Sequence, residues 1–367
     1  MKSITTVNCT QIMKSAPRRN RLIRHFGRLA GGALLAATAT LAVSATAFEA
    51  AAQQQVPAAP SDNQAAPAQA APAQAPSAPA PTGPPVFPKP DPANFSATSP
   101  TKDEVSAFLT ASWGYDADRV WQVQAIMKTQ IEGLSKVIVY IGDKNGKEKP
   151  SAFMFWAMPD GKHIIAGEDL YPFGEHPYAA NRAALQQQAT GPYRGAADKG
   201  LLMVEFADFQ CPHCKDAQAN MDKLATDFPK ARIVFQNYPL EKIHPQAKLA
   251  AEYGVCVTKL GGSSAFFQYA NAAFEGQDGL GTPDGAQLTL NSAVTKAGLD
   301  PAKVSACATT PATNDEVEKS VKLAEDLNVN STPMLLINGR QVPIAGVPYD
   351  TLKKIVEWQE KIDGIQQ

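Results

Sequence analysis

The chain has 367 residues, 34 Lys+Arg against 35 Asp+Glu, and a formal net charge of −1. That length allows two or three domains, and the near balance of charge argues against a nucleic-acid binder, which would carry a basic field. Five cysteines are too few for a disulfide-dense scaffold, and 44% hydrophobic residues are enough for a sizeable core.

The averages hide distinct regions. Residues 1–28 carry Lys2, Lys14, Arg18, Arg19, Arg21, Arg24 and Arg28 and no acid, and residues 29–47 carry no charge. A basic start, an apolar stretch and small residues at Ala45 and Ala47 fit a secretory signal over 1–47. Ala50–Ala52 offers a second cleavage site, and Met13 an alternative start. Arg18-Arg19 hints at twin-arginine export, but the residues after Arg19 fit general secretion better. A membrane anchor is the other reading. The stretch is about long enough to span, yet its Ala, Gly and Thr make it weakly hydrophobic. Removal of 1–47 leaves 27 basic and 35 acidic residues, a net of −8, and discards Cys9. Four cysteines remain, Cys211, Cys214, Cys256 and Cys307, an even count in a compartment where disulfides persist.

Residues 48–100 read as a disordered Pro/Ala-rich linker. Residues 53–100 hold 13 of the 29 prolines and 13 alanines, with only Asp62, Lys89 and Asp91 charged. No apolar period runs through them, so they cannot offset their ordering entropy. Such a tether reaches roughly 40 Å as coil and about 150 Å as polyproline II.

A small α+β domain is expected over 101–190. Thr101-Lys-Asp-Glu104 is a capping box opening a helix with Val105, Phe108 and Leu109 on one face. Strand-like runs come next at Val120–Met127, Val137–Ile141, Ala152–Ala157 and His163–Ala166, separated by the turn signals Asp143–Gly146 and Pro159–Gly161. A helix near Ala179–Gln188 leads out. His163 and His176 have no metal-ligand spacing around them, and Trp113, Trp121 and Trp156 read as core.

Leu201–Phe206 is a nearly continuous apolar run suited to a buried strand, broken by Glu205. Cys211-Pro-His-Cys214 comes next and opens an amphipathic helix, with Pro212 where a first-turn proline is tolerated. Thiolate is the reactive form of cysteine. A helix N-terminus stabilises negative charge on Cys211, and His213 can add a hydrogen bond or charge. A lowered Cys211 pKa favours the dithiol and makes the disulfide more oxidising. Cys214, a turn further in, would attack Cys211 to resolve a mixed disulfide. Glu205 is either a strand-end carboxylate reaching solvent or a buried acid that exchanges protons with Cys214. Lys215 after Cys214 rules against c-type haem attachment, and zinc would need two more ligands, so no metal or cofactor is expected.

"VEFADFQCPHC" resembles the active-site segment of the DsbA-like, thioredoxin-fold thiol-disulfide oxidoreductases of the bacterial envelope. "RIVFQNYPL" (Arg232–Leu240) resembles the next strand, "HPQAKLAAEYGVC" (His244–Cys256) the start of a helical insertion, and "LNVNSTPMLLINGR" (Leu327–Arg340) the Thr–cis-Pro strand and hairpin. The resemblance covers about 197–362 and implies a thioredoxin fold, α/β in class, with an inserted helical subdomain at about 243–328. It implies that Thr332-Pro333 is cis, faces the CxxC, and offers the Thr332 backbone to a substrate peptide. Helical stretches are expected at Pro245–Leu260, Ala265–Phe274, Ala286–Ala297 and Asp315–Leu327. Cys256 and Cys307 both fall in the insertion. A structural bridge is expected, with two buried thiols or a second redox pair as the alternatives. A final helix, Thr351–Asp363, is expected to pack Ile355 and Trp358 on the sheet. The small domain more loosely resembles the N-terminal dimerisation domains of DsbC/DsbG-type disulfide isomerases, through its size, its strands and "DGKHIIAGEDLY".

The expected function is an exported thiol-disulfide oxidoreductase in the periplasm or cell envelope. Its partners would be thiol- or disulfide-containing envelope proteins and a membrane redox-recycling partner, with a homodimer implied by the small domain. CPHC resembles the dithiol oxidases and favours disulfide formation, while the extra domain points to an isomerase or reductase. A non-catalytic chaperone or binding module on the same scaffold is the alternative of a different class.

Overall fold

A computed structural model describes residues 85–146 and 149–365. The expected signal at 1–47 lies outside them, as does the linker up to residue 84. The described part of the linker is ordered, which corrects the boundary at 100. Phe87 packs against Tyr140, the Pro88 carbonyl accepts from the Gln122 and Gln124 side chains, and Ala97 N–H donates to Ile126 O. Phe87 and Phe95 supply aromatic side chains that the Pro/Ala-rich stretch before them lacks, and Phe95 joins the small-domain core.

The small domain has a helix, α1 (Lys102–Trp113), and five strands, β1 (Arg119–Lys128), β2 (Ser135–Asp143), β3 (Ser151–Ala157), β4 (His163–Ala166) and β5 (Asp169–Pro172). Thr101 and Glu104 form the reciprocal capping box. The strands pair in chain order as an antiparallel meander. Alternation along them turns Val137, Val139 and Phe155 onto Val105, Phe108 and Leu109 of α1. Trp113 and Trp121 pack against this core. Trp156 does not; it lies on the other face of the sheet, with the Lys136 ammonium over its ring.

The second sheet has the order β10-β9-β7-β8-β6: β6 (Tyr193–Gly195), β7 (Leu201–Ala207), β8 (Ala231–Asn237), β9 (Met334–Ile337) and β10 (Arg340–Pro343). β7 and β8 are parallel, joined by α3 (Pro212–Asp227), and the other pairs are antiparallel. Leu201 and Met203 of β7 face α3 and the last helix, α8 (Tyr349–Ile362), through Met221, Leu224, Leu352 and Ile355. Leu202, Val204 and Phe206 face the opposite layer, made by α2 (Ala179–Gln188) and α7 (Pro311–Asp326). Helices on both faces of a largely buried sheet give the α/β thioredoxin fold.

These packings move the expected boundaries. Leu185 and Ala189, at the end of α2, lie in the thioredoxin-fold core, so this segment belongs to that domain and not to the small one. β6, before residue 197, is one of its edge strands. The inserted subdomain is α4 (Ala247–Glu275), α5 (Pro283–Lys296) and α6 (Pro301–Ala308). α7, assigned to the insertion by sequence, covers the sheet through Leu323 and Ala324. α4 spans two expected helices and breaks at Gly262, whose φ of 75° suits glycine.

The two domains lie in one compact unit. Arg340 joins them. Its guanidinium donates to the Ala111 and Ser112 carbonyls at the C-terminal end of α1, and to Gln359 Oε1, and it lies over the Tyr178 ring. A cation there suits the negative end of the helix dipole. Trp358 was expected on the sheet but turns to the small domain, where its Nε1 donates to Ala111 O 3.3 Å away and its ring closes on Gly114. Arg340 pairs with Ile337, which pairs with Met203 near the start of β7. The cysteines come after the other end of β7. The small domain is therefore anchored at the pole away from them.

Candidate active site

The parallel β7–α3–β8 unit places Cys211 just past the C-terminal end of β7. Cys211 is the N-cap of α3, with extended φ/ψ of −75° and 118°, and Pro212 is the first helical residue. Register brings in the third part. Phe206 pairs with Met334, so Pro333 stands at the same end of the sheet as the cysteines. The Thr332–Pro333 bond is cis, and Cys211 Sγ lies 3.6 Å from the Thr332 carbonyl oxygen. The Cys211, Cys214, Thr332 and Pro333 singled out by sequence thus meet at one place. Pro212 and His213 are exposed on the first turn beside them.

Cys211 and Cys214 are both free and buried, and their environments separate them. The Cys211 pKa is held down to about 5, chiefly by a hydrogen bond from the Cys214 thiol. Burial opposes this, while the N–H groups of Cys214 and His213 help it. Cys214 is pushed far above the ordinary thiol range by burial first and then by its bond to Cys211. The Asp208 N–H, 3.4 Å from Cys214 Sγ, works the other way. At neutral pH the pair is one thiolate beside one thiol.

Glu205 has the same parity as Leu201 and Met203 and so lies on the α3 face of the sheet. It is 3% exposed, and its Oε1 accepts from Gln218 Nε2 at 2.8 Å. The same amide nitrogen donates to the Cys214 carbonyl at 3.1 Å. Burial raises the Glu205 pKa to about 7, with Gln218 and Arg194 lowering it and Asp222 raising it. Arg194 is tied to Asp222 at 2.6 Å. The solvent-reaching reading of Glu205 is thereby excluded; the carboxyl is internal and able to hold a proton near neutrality.

The buried carboxyl should make stability depend on pH. Its folded-state pKa lies above its unfolded value, so folding favours the protonated form. The cost of ionising it is absent below 4.5, grows as pH rises from 4.5 to 7, and is complete above 7. Glu205→Gln keeps the shape and an acceptor for Gln218. It is expected to raise unfolding stability by about 3 kcal/mol at pH 8 and to change it little at pH 4, as read from urea denaturation.

Several contributors have no strong sequence signal. Gln277, in the turn Gln277–Gly281 after α4, donates to the carbonyls of Phe209 (2.8 Å) and Cys211 (3.0 Å). Gln210 donates to Leu280 O in return. The insertion thus grips the loop that carries Cys211. Gln218 also went unread, although its place one helical turn after Cys214 was a signal that could have shown it. Cys256 and Cys307 are joined by a disulfide between α4 and α6, with Cα atoms 5.9 Å apart. His163 pairs with Asp160 in the small domain and takes no part here. Among the described residues, no group of three or more His, Cys, Asp or Glu is placed to hold a metal ion.

Comparison with known proteins finds likenesses over the second domain. Residues 187–363 match a family model described as Thioredoxin. Among solved structures, Proteus mirabilis ScsC in a transitional conformation is 24% identical with a TM-score of 0.42, covering 49% of this chain and 77% of its own. DsbA2 of Pseudomonas aeruginosa is 25% identical with a TM-score of 0.39, covering 46% and 94%. The thiol-disulfide exchange protein alpha-DsbA2 of Wolbachia pipientis is 22% identical with a TM-score of 0.42, covering 51% and 96%. Among curated proteins, the Na(+)/H(+) antiporter NhaA 3 of Salinispora tropica is 28% identical over 148 residues, 40% of this chain. This chain spans only 22% of that relative's length, and its transport name belongs to a protein of which most has no counterpart here. No helix among the described residues is long and apolar enough to cross a membrane. The Thioredoxin family match thus falls on residues 187–363, the segment that carries Cys211, Cys214 and Pro333.

Proposed function

We propose that the chain is an exported thiol-disulfide oxidoreductase that forms disulfides in envelope proteins through Cys211 and Cys214. The observation that carries this reading is the placement of two free, buried cysteines at the N-terminus of α3, Cys211 at its N-cap beside Thr332 and cis Pro333, with the Cys211 thiol lowered to about 5 and Cys214 raised by burial. Stabilising a thiolate in the dithiol form makes the corresponding disulfide a better oxidant. In the forward direction a substrate thiolate attacks Cys211 Sγ of the disulfide form. The Cys211–Cys214 bond breaks, its electron pair stays on Cys214, and Cys214 takes a proton. A second substrate thiolate then attacks the substrate sulfur of the mixed disulfide and releases Cys211 as a thiolate. The substrate loses two electrons and the centre gains them. A membrane redox partner would reoxidise it. Glu205 supplies or takes the Cys214 proton, and the Thr332 backbone beside cis Pro333 pairs with the substrate strand.

A second reading, a dimeric isomerase or reductase, is favoured by the small domain. The face of its sheet turned away from α1 leaves Met154 43% and Leu170 52% exposed, apolar groups that a second copy could cover.

The discriminating assay gives the oxidised full chain a reduced, unfolded client. Catalysed disulfide formation that disappears in Cys211→Ala is the expected result, and equal rates with and without Cys211 overturn the enzyme reading. Refolding of scrambled ribonuclease faster than oxidation of the reduced client would favour the isomerase.

A further inference from the structure

Asp208 is a buried ionisable group beside the cysteines that the exchange chemistry has not used. It lies three residues before Cys211, and its side chain is 0% exposed. Its Oδ1 accepts from Gln210 N–H at 2.7 Å, and its Oδ2 accepts from Leu240 N–H at 2.8 Å. His244 Nδ1 stands 2.8 Å from the same Oδ2. One carboxylate therefore ties the loop before the cysteines to the segment after β8 and to the approach to α4. A buried carboxylate is costly unless it is paired and hydrogen-bonded, and here one partner from its own loop and two from the 240–244 turn meet it. On its backbone side the same residue points its N–H at Cys214 Sγ, 3.4 Å away.

We propose that Asp208 and His244 form a positioning pair that aims the Asp208 N–H at Cys214, stabilising the thiolate that Cys214 becomes during exchange. The proposal rests on the oxidoreductase reading above and deepens it. When a substrate thiolate bonds to Cys211 Sγ, the bonding pair of the broken disulfide is left on Cys214 Sγ inside an apolar shell. The two cysteines share a core cluster with Ala207, Phe209 and Phe235. The only backbone donor to that sulfur among the described contacts is Asp208 N–H. In the reverse direction the same N–H steadies the Cys214 thiolate before it attacks Cys211 Sγ and expels the substrate sulfur with its electron pair. The carboxylate touches neither sulfur; it fixes the peptide that does.

The geometry separates the two half-reactions. Cys214 leaves in the first step, but the second step, attack on the substrate sulfur of the mixed disulfide, releases Cys211. The oxidised full chain is mixed with a two-thiol peptide, and acid-quenched samples are weighed by mass spectrometry to track the mixed disulfide. In Asp208→Ala and His244→Ala the first step is expected to slow about tenfold, the scale of a misaligned hydrogen bond to a charged group, with the second step unchanged. His244→Asn, which restores a side-chain N–H toward Oδ2, is expected to recover most of the rate. If Asp208→Ala fails to fold, the two His244 variants carry the test. Equal loss in both steps, no loss in either, or no recovery with Asn overturns the positioning role while leaving the oxidoreductase reading intact. A wild-type chain that forms no mixed disulfide overturns that reading itself.

Discussion

The reduced protein is expected to hold one thiolate, on Cys211, from about pH 6 upward. Its absorbance near 240 nm should titrate with a midpoint near 5 and vanish in Cys211→Ser. The cause is local: the Cys214 thiol donates to the Cys211 sulfur, and the N–H groups of Cys214 and His213 at the start of α3 face it. At pH 6 a group of pKa about 5 is about nine-tenths ionised, while a thiol at the ordinary value is ionised to well under about 1%. At pH 6 Cys211 should therefore be alkylated by iodoacetamide about tenfold faster than a thiol of ordinary pKa, once the lower nucleophilicity of a more acidic thiol is counted, and this reaction should be lost in Cys211→Ser. Cys214→Ser removes the main donor, so the midpoint in that variant should rise. The sign carries into stability. A depressed folded-state pKa favours the reduced fold above the ordinary thiol pKa, and the advantage is lost as pH falls through 5. A Cys211 that titrates near 9 would contradict the electrostatics of the site.

Removal of the Cys256–Cys307 bridge is the second large effect. It joins residues 51 apart in sequence, and in the chain-entropy model a loop of that length stabilises the fold by about 4 kcal/mol through the unfolded state. The double variant Cys256→Ala, Cys307→Ala is expected to lose about that much, read from guanidinium unfolding. The loss should reach the redox centre, because the bridged helices α4 and α6 share a core with Phe209, Cys211 and Cys214. The bridge lies apart from the CxxC, so exchange by the fraction that remains folded should be unaltered. Exchange that fails in a fully folded double variant would mark the pair as a second redox couple.

What was legible in the sequence was chiefly what is local in the chain. Thr101 and Glu104 announce α1 because a cap needs only its own first turn. His163–Ala166 shows as a strand between turns, and CPHC after an apolar run shows as a helix N-terminus. The parts that escaped depend on distant partners. β6 is three residues long and is a strand only because β8 lies beside it. Trp358 has the spacing of a sheet-facing residue, but α1 of the small domain offers its ring a contact at Gly114 and its N–H the Ala111 carbonyl that Arg340 also meets. Residues 85–100 share the proline content of the tether, and their fate is decided by Phe87 and Phe95 finding partners in the small domain. At the site, the cysteines have a signal of their own, while the role of Pro333 was read only through the family resemblance. Asp208, His244 and Gln277 are ordinary polar residues whose meaning appears only when three stretches of chain converge.

A Cys211 thiolate stabilised in the dithiol form should make this centre an oxidant. The reduction potential reads that directly, by equilibrating the full chain in glutathione redox buffers at pH 7 and counting free thiols by mass. The expected value lies on the oxidising side, at about −120 mV. A value of about −270 mV, the range of a dithiol reductant, would contradict it.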